Sequence, residues 1–190
     1  MESGISARNR TTVRLLSRIV SGGQTGVDRA ALDAAIAAGI EIGGWCPRDR
    51  RCEDGIIPAH YPLRETASRS YAVRTEWNVR DSNGTLILVL DRISSGTRLT
   101  ADSAKAQAQP LRIEYLNPAS QPGMLIEEFA LEQRVAEVAD WIRRERIQTL
   151  NVAGPRGSSR RDVYSKALGF LAALFAAISQ SGTTSRIKHK

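Results

Sequence analysis

Arg18-Ile-Val-Ser-Gly-Gly-Gln-Thr-Gly-Val-Asp-Arg-Ala-Ala-Leu-Asp33 reads as a strand, a tight glycine turn and a helix. The β-branched pair Ile19-Val20 stops at Gly22-Gly23, and an alanine-rich segment opens with Val27-Asp28 behind Gln24-Thr25-Gly26. Glycines admit positive φ and let another group approach bare main chain. A helix N-terminus behind them turns free N–H groups and a partial positive charge on whatever lies there. A phosphate is the expected occupant. The pattern Gly22-Gly23-x-x-Gly26 is neither the dinucleotide fingerprint nor a P-loop, which needs Lys-Ser/Thr after its last glycine. The alternative is a strand-to-helix turn with no ligand. Asp28 reads either as a favourable first-turn charge or as a partner for a ligand hydroxyl.

Working outward, the same alternation recurs. Val27, Ala30, Ala31, Ala34 and Ala38 form a small-residue face at helical spacing, which lets a helix sit close on a sheet. Ile40–Trp45 reads as a second short strand, followed by the long charged loop Cys46–Pro58. A loop of that length inside a compact domain is usually functional or mobile. Ser68–Arg80 reads as a helix, with Trp77 as a core anchor and Asn78 as a ligand contact or a cap. Thr85-Leu-Ile-Leu-Val-Leu90 suits a central parallel strand covered on both faces. It leads into Ser94-Ser-Gly-Thr97, then a helix to Gln109, which Pro110 stops, and an alternating strand at Leu111–Tyr115. Leu131, Val135, Val138 and Ile142 mark an amphipathic helix. Thr149–Ala153 is the last strand and exits into Gly154-Pro-Arg-Gly-Ser-Ser159.

These alternations predict an α/β fold: a Rossmann-like three-layer α/β/α domain with a mainly parallel sheet of about five strands. In such sheets ligands bind at the carboxyl ends of strands, near the switch in strand order. All three glycine/hydroxyl turns follow strands and therefore belong to that end. The expected boundaries are a tail at 1–16, one ligand-binding domain at 17–181 and a basic tail at 182–190.

The chain has 190 residues and a net charge of +7, carried almost wholly by arginine. Only Arg186–Lys190 is a basic run, and no aromatics interleave it as a nucleic-acid stacking platform requires. The clusters Arg48/Arg50/Arg51 and Arg156/Arg160/Arg161 lie beside loops, which suits a compact anionic ligand better than a polymer. Met1–Thr12 lacks the apolar core of an export signal, and the uncharged apolar stretch Gly169–Ile178 is short for a bilayer. With two cysteines, a reduced cytoplasmic protein without a membrane partner is expected. Cys46, Cys52 and His60 make a weak metal pattern, and structural cysteines are the preferred reading. Glu53-Asp54 is either an acid/base pair or part of a salt-bridge web. The last helix carries two apolar stripes, Tyr164/Leu168/Leu171/Phe175/Ile178 and Phe170/Leu174. One can cover the sheet, and the other would be an exposed patch calling for a homo-oligomer.

With these residues in place, the chain resembles the molybdenum-cofactor carrier family. That family sits in a wider Rossmann-like group with the lysine-decarboxylase-like nucleotide phosphoribohydrolases. The resemblance rests on Ser21–Ala31, Gly43–Pro47 with Glu53-Asp-Gly55, Tyr61-Pro-Leu63, Arg74–Val79, Thr85–Ile87, Gly96-Thr97 with Leu99-Thr100, and Leu150–Arg156. It implies a homo-oligomeric binder of a small anionic ligand: molybdenum cofactor, or another phosphorylated pterin or nucleotide-like molecule. By the motif, Gly22, Gly23, Thr25 and Gly26 hold the phosphate, and Gly96, Thr97 and Arg156 complete the site. Gln24, Asp28, Asn78 and Gly154 are the further candidates. Two departures stand out: Asp49 and Ser95 occupy positions where the family carries glycine. The phosphoribohydrolases place a glutamate three residues after the Gly-Thr threonine, and here that residue is Thr100. The rival reading is therefore an N-glycosidase on nucleoside monophosphates that uses Glu53 or Asp54 instead.

Overall fold

Five parallel strands carry the fold. In chain order the elements are β1 (Arg18–Val20), α1 (Val27–Ala37), β2 (Glu41–Gly43), β3 (Trp45–Cys46), β4 (Arg51–Cys52), β5 (Gly55–Ile56), β6 (Arg64–Glu65), α2 (Tyr71–Arg80), β7 (Gly84–Val89), α3 (Ser95–Ala106), β8 (Leu111–Tyr115), α4 (Glu127–Arg144), β9 (Thr149–Ala153) and α5 (Val163–Ser181). The structure is a computed structural model and describes residues 15–117 and 127–181. The basic run at 186–190, most of the expected N-terminal tail and most of the 117–123 loop lie outside those residues. Leu16, at the end of the expected tail, is buried in the main core as the first strand begins.

The sheet runs β2-β1-β9-β7-β8, with every neighbouring pair parallel. The last strand in sequence is thus inserted between the first and β7. Strand order reverses around it, because β1 connects outward to β2 and β7 connects outward to β8. The turns after β1, β9 and β7 are therefore neighbours at one carboxyl edge, where a parallel sheet offers a crevice. The Ser21 hydroxyl ties two of these strands by donating to the Val152 carbonyl (2.7 Å).

β7 shows why its sequence is an unbroken apolar run. Leu86, Leu88 and Leu90 join the core formed with α1, α4 and α5, while Ile87 and Val89 pack on Ala101 of α3. Period-2 alternation then gives each face its own apolar set. The α4 stripe is as expected, with Val135, Val138 and Ile142 buried and Leu131 at its margin.

The last helix corrects one expectation. Phe170, Leu171, Leu174 and Phe175 are all buried, because α5 lies between α1 and α4 and covers apolar surface on both sides. The stripe expected to be exposed, Phe170 and Leu174, is covered within the chain itself. By length and composition alone Val163–Gln180 could cross a membrane, at a mean hydropathy of 1.3, but its large apolar side chains belong to the core. Tyr164, at its start, is partly exposed and donates to Asp33 Oδ2 (2.7 Å).

The long loop after β2 is also structured. β3 leaves the main sheet to pair with β6, and β4 and β5 form a small antiparallel hairpin. Arg50 holds this segment together by donating to the carbonyls of Ile57, Pro58, Tyr61 and Leu63 at 2.9–3.1 Å. That arginine serves the loop rather than an anionic ligand. Asp49 adopts φ 65°, the left-handed region that Asp tolerates better than most residues, and its N–H donates to Glu65 Oε2 (2.6 Å). Under the loop lies a second small core of Leu32, Cys46, Cys52, Ile57, Tyr61 and Leu63. Trp77 is half-buried, edge-on to Trp45 with ring centroids 4.7 Å apart, rather than a core anchor.

Candidate functional site

The β1–α1 turn, where sequence puts a phosphate, is packed by the protein itself. Gly26 has φ 80°, and a Cβ on it would lie 2.5 Å from the Pro155 carbonyl oxygen. The same carbonyl accepts the N–H of Val27 (3.2 Å). Gly23 has φ 72°, and its Cβ would lie 2.6 Å from Leu63 Cδ1. A Cβ on Gly22 would lie 2.0 Å from Arg74 Nη1. The Thr25 hydroxyl donates to the Glu53 carboxylate and accepts the Gly157 N–H (3.0 Å).

Glu53 closes this arrangement. Its Oε1 accepts the Ser158 N–H (3.0 Å), its Oε2 accepts the Ser158 hydroxyl (2.5 Å), and Arg156 Nε stands 3.8 Å from Oε2. Burial pushes the Glu53 carboxyl up, but the hydrogen bonds from Ser158 and Thr25 and the Arg156 charge outweigh it. The group ends below its ordinary value. Asp54 is gripped by two Arg29 donors at 2.6 and 2.8 Å. Those bonds, with one from Cys52, hold it down at about 2. Both carboxylates are ionised and paired, as the salt-bridge alternative expects, though with Arg29 and Arg156 rather than the loop arginines. Burial raises both thiols, Cys52 to about 11, and both sit in the small apolar core, so they behave as structural cysteines. The His60 ring lies against Tyr61, with centroids 4.0 Å apart.

The cavity lies one turn further along the carboxyl edge. It has a volume of about 310 Å³ and opens between the β7–α3 turn, the exit of β9 and the start of α2. Ser94 caps α3: its Oγ accepts the Thr97 N–H (3.3 Å) and lies 2.8 Å from Thr97 Oγ1. Gly96 follows the cap, and a Cβ there would meet nothing within 4 Å. Thr97 and Thr100, both buried, line the cavity, with the Thr100 hydroxyl donating back to the Gly96 carbonyl (3.5 Å), and the loop after β9 supplies Gly154 and Arg156. A second cavity of about 270 Å³ shares Ser94, Pro155 and Ser159 with the first.

Of the residues picked from sequence, Gln24, Asp28, Gly96, Thr97, Gly154 and Arg156 line the cavity, while Gly22, Gly23, Thr25 and Gly26 form the packed turn behind it. Asn78 is elsewhere. Its amide accepts the Trp45 N–H (2.8 Å) and donates to the Trp45 carbonyl (2.9 Å), splinting β3 to α2. Asp28 is the one carboxylate among the described residues lining the cavity, and it pairs with Arg74, Nη1 to Oδ2 at 3.3 Å. Burial raises the Asp28 carboxyl, opposed by Arg74 and by hydrogen bonds from Gln24, Gly22 and Ser21.

Sequence reasoning missed three lining residues on one helix: Tyr71, Arg74 and Thr75. The signal was present. Positions 71, 74, 75 and 78 are spaced i, i+3, i+4, i+7 and share a face of α2. Their polarity on a half-buried helix is that signal.

The chain matches the circularly permutated YpsA SLOG family over residues 19–175. Among solved structures it resembles a protein from Syntrophus aciditrophicus SB named "putative molybdenum carrier protein". The two are 35% identical with a TM-score of 0.76, and the match covers 85% of this chain and 96% of that one. No curated protein matches it.

Proposed function

The chain belongs to the circularly permutated YpsA SLOG family, and on that premise we propose that it is a binding or carrier protein for a phosphorylated pterin or nucleotide-like ligand, molybdenum cofactor among them. The observation that carries this reading is the cavity at the ends of β7 and β9. Ser94, Thr97, Thr100 and Arg156 line it, and the α3 N-terminus beside it brings partial positive charge. That donor set suits an oxyanion. The volume falls at the low end of small-ligand sites, and the adjoining cavity gives a larger ligand somewhere to extend. The name of the Syntrophus relative supports molybdenum as cargo, carried inside the ligand. In this reading Gly96, Thr97, Gln24, Gly154 and Arg156 face the ligand, and Gly22, Gly23, Thr25 and Gly26 build the wall behind it.

Binding is favoured over N-glycosidase chemistry by the carboxylates. Thr100 lines the cavity where the phosphoribohydrolases carry an acid, Glu53 and Asp54 are held in ion pairs outside the lining, and Asp28, the one carboxylate of the lining, is paired with Arg74. Mass spectrometry of small molecules released from gently denatured protein, with molybdenum measured on the same sample, tests the proposal. A phosphorylated pterin or nucleotide is the expected release. Production of free base from nucleoside monophosphates would replace the carrier reading with the hydrolase one.

A further inference from the structure

We propose that Arg74 is the residue that receives the ligand's phosphate, as a buried two-pronged donor, and that Gly22 and Asp28 exist to seat it. The inference rests on the carrier reading and names the principal cation of its site, a role no motif assigned to Arg74. Four observations converge on it. Arg74 lines the cavity, yet its side chain is only 13% exposed. Its Nε is fully buried and meets no acceptor. Its ion-pair partner is Asp28, with Nη1 3.3 Å from Oδ2. The guanidinium also lies against the main chain at Gly22, where a Cβ would meet its Nη1 and Cζ.

A guanidinium carries five donors in a rigid fork that matches phosphate oxygens in pairs. Buried donors in native proteins are nearly always satisfied, and Arg74 lines the cavity with an Nε that no group of the protein bonds. Asp28 does not meet the need, since Gln24 N–H, at 3.3 Å, and other donors of the 21–24 turn already bond it. It neutralises the charge of Arg74 and fixes its orientation while leaving the rest of the fork for a ligand. Arg156 is a weaker candidate for the same role, being half-exposed and already beside Glu53. The first glycine of the β1–α1 turn thus acts on the ligand through Arg74.

The test is calorimetric titration of guanosine 5′-monophosphate, inorganic phosphate and guanosine into wild type, Arg74→Lys, Gly22→Ala and Arg156→Ala. Arg74→Lys keeps the charge opposite Asp28 and removes the fork. It should weaken the nucleotide roughly 10- to 100-fold, the range for charged hydrogen bonds, and leave guanosine unchanged. Gly22→Ala should act in the same direction, because its methyl displaces the guanidinium without altering any charge. An Arg74→Lys protein that binds the nucleotide as wild type does, or loses nucleotide and nucleoside equally, overturns the assignment. If only Arg156→Ala then loses the nucleotide, the carrier reading stands without Arg74. Wild type that binds neither phosphorylated probe overturns both. Should the variants fail to fold, phenylglyoxal labelling of wild type decides: phosphate should slow modification of Arg74, and an unchanged rate refutes its role.

Discussion

The β1–α1 turn and the β7–α3 turn are both strand-to-helix junctions with small residues, and they do opposite things. In the first, each glycine is matched by a group of the protein: Arg74 over Gly22, Leu63 beside Gly23 and the Pro155 carbonyl against Gly26. The helix behind it gives its first N–H to Pro155. In the second, a Cβ on Gly96 meets nothing, and the capping hydroxyls open onto a cavity. A glycine in sequence announces that something comes close to the main chain. It does not say whether that something is a ligand or another loop. The denser glycine motif marks the denser packing, and the plainer motif lines the cavity.

Substitution at Gly26 and Gly96 breaks this comparison most sharply. Gly26→Ala combines a positive φ with backbone contact at 2.5 Å and should cost about 3 kcal/mol of stability. Gly96→Ala should stay within about 0.5 kcal/mol of wild type. Urea unfolding of the two variants measures both, and equal losses would erase the distinction. Gly23→Val belongs with Gly26→Ala. Sequence alone predicts a folded protein that loses ligand, whereas φ 72° and Leu63 at 2.6 Å now predict lost stability.

Hydroxyls give the next contrast. Thr97→Val removes an oxygen that lines the cavity and should weaken a phosphorylated ligand about tenfold with little change in melting temperature. Thr25→Val removes the link between Glu53 and Gly157 and should cost about 1 kcal/mol of stability while binding changes less than twofold. Titration calorimetry and thermal melts on the pair would reveal a reversed pattern if the phosphate lay at α1 after all.

Arg156 is the point where the two turns meet. It lines the cavity and also stands 3.8 Å from Glu53. A half-exposed arginine shared in this way should contribute about 1 kcal/mol to phosphate binding, below the range expected of an unshared one. Glu53→Gln should free it and strengthen phosphate binding a few-fold. A weakened ligand in Glu53→Gln would instead make Glu53 a support for the site.

The smallest effect is a pH dependence in the packed turn. The folded Asp54 titrates at about 2, below its ordinary carboxylate value, because Arg29 hydrogen-bonds the ionised form. Its contribution is therefore complete above pH 4 and disappears as pH falls from about 4 to 2. Asp54 is half-exposed, so the size is that of a surface pair, about 0.5 kcal/mol. The difference in urea midpoint between wild type and Asp54→Asn should be present at pH 6 and gone by pH 2. A difference that persists at pH 2 would mean the side chain matters by packing alone.

The sequence by itself determined the α/β class, because hydrophobic period and turn chemistry are local. The 85–90 run had to be a strand covered on both sides, and Leu131, Val135, Val138 and Ile142 had to face a core. Ser94 was legible as the start of a turn before a helix. Local pattern could not say that β9 slots between β1 and β7, since strand order is decided by how whole helices cover the sheet. That insertion brings the 154–159 loop against Gly26, in the turn that sequence reads as a phosphate loop. Arg74, far in sequence from the turn it touches, also lines the cavity. Fold class follows from periodicities of a few residues. A site follows from which distant residues share a boundary, and only the tertiary structure sets that.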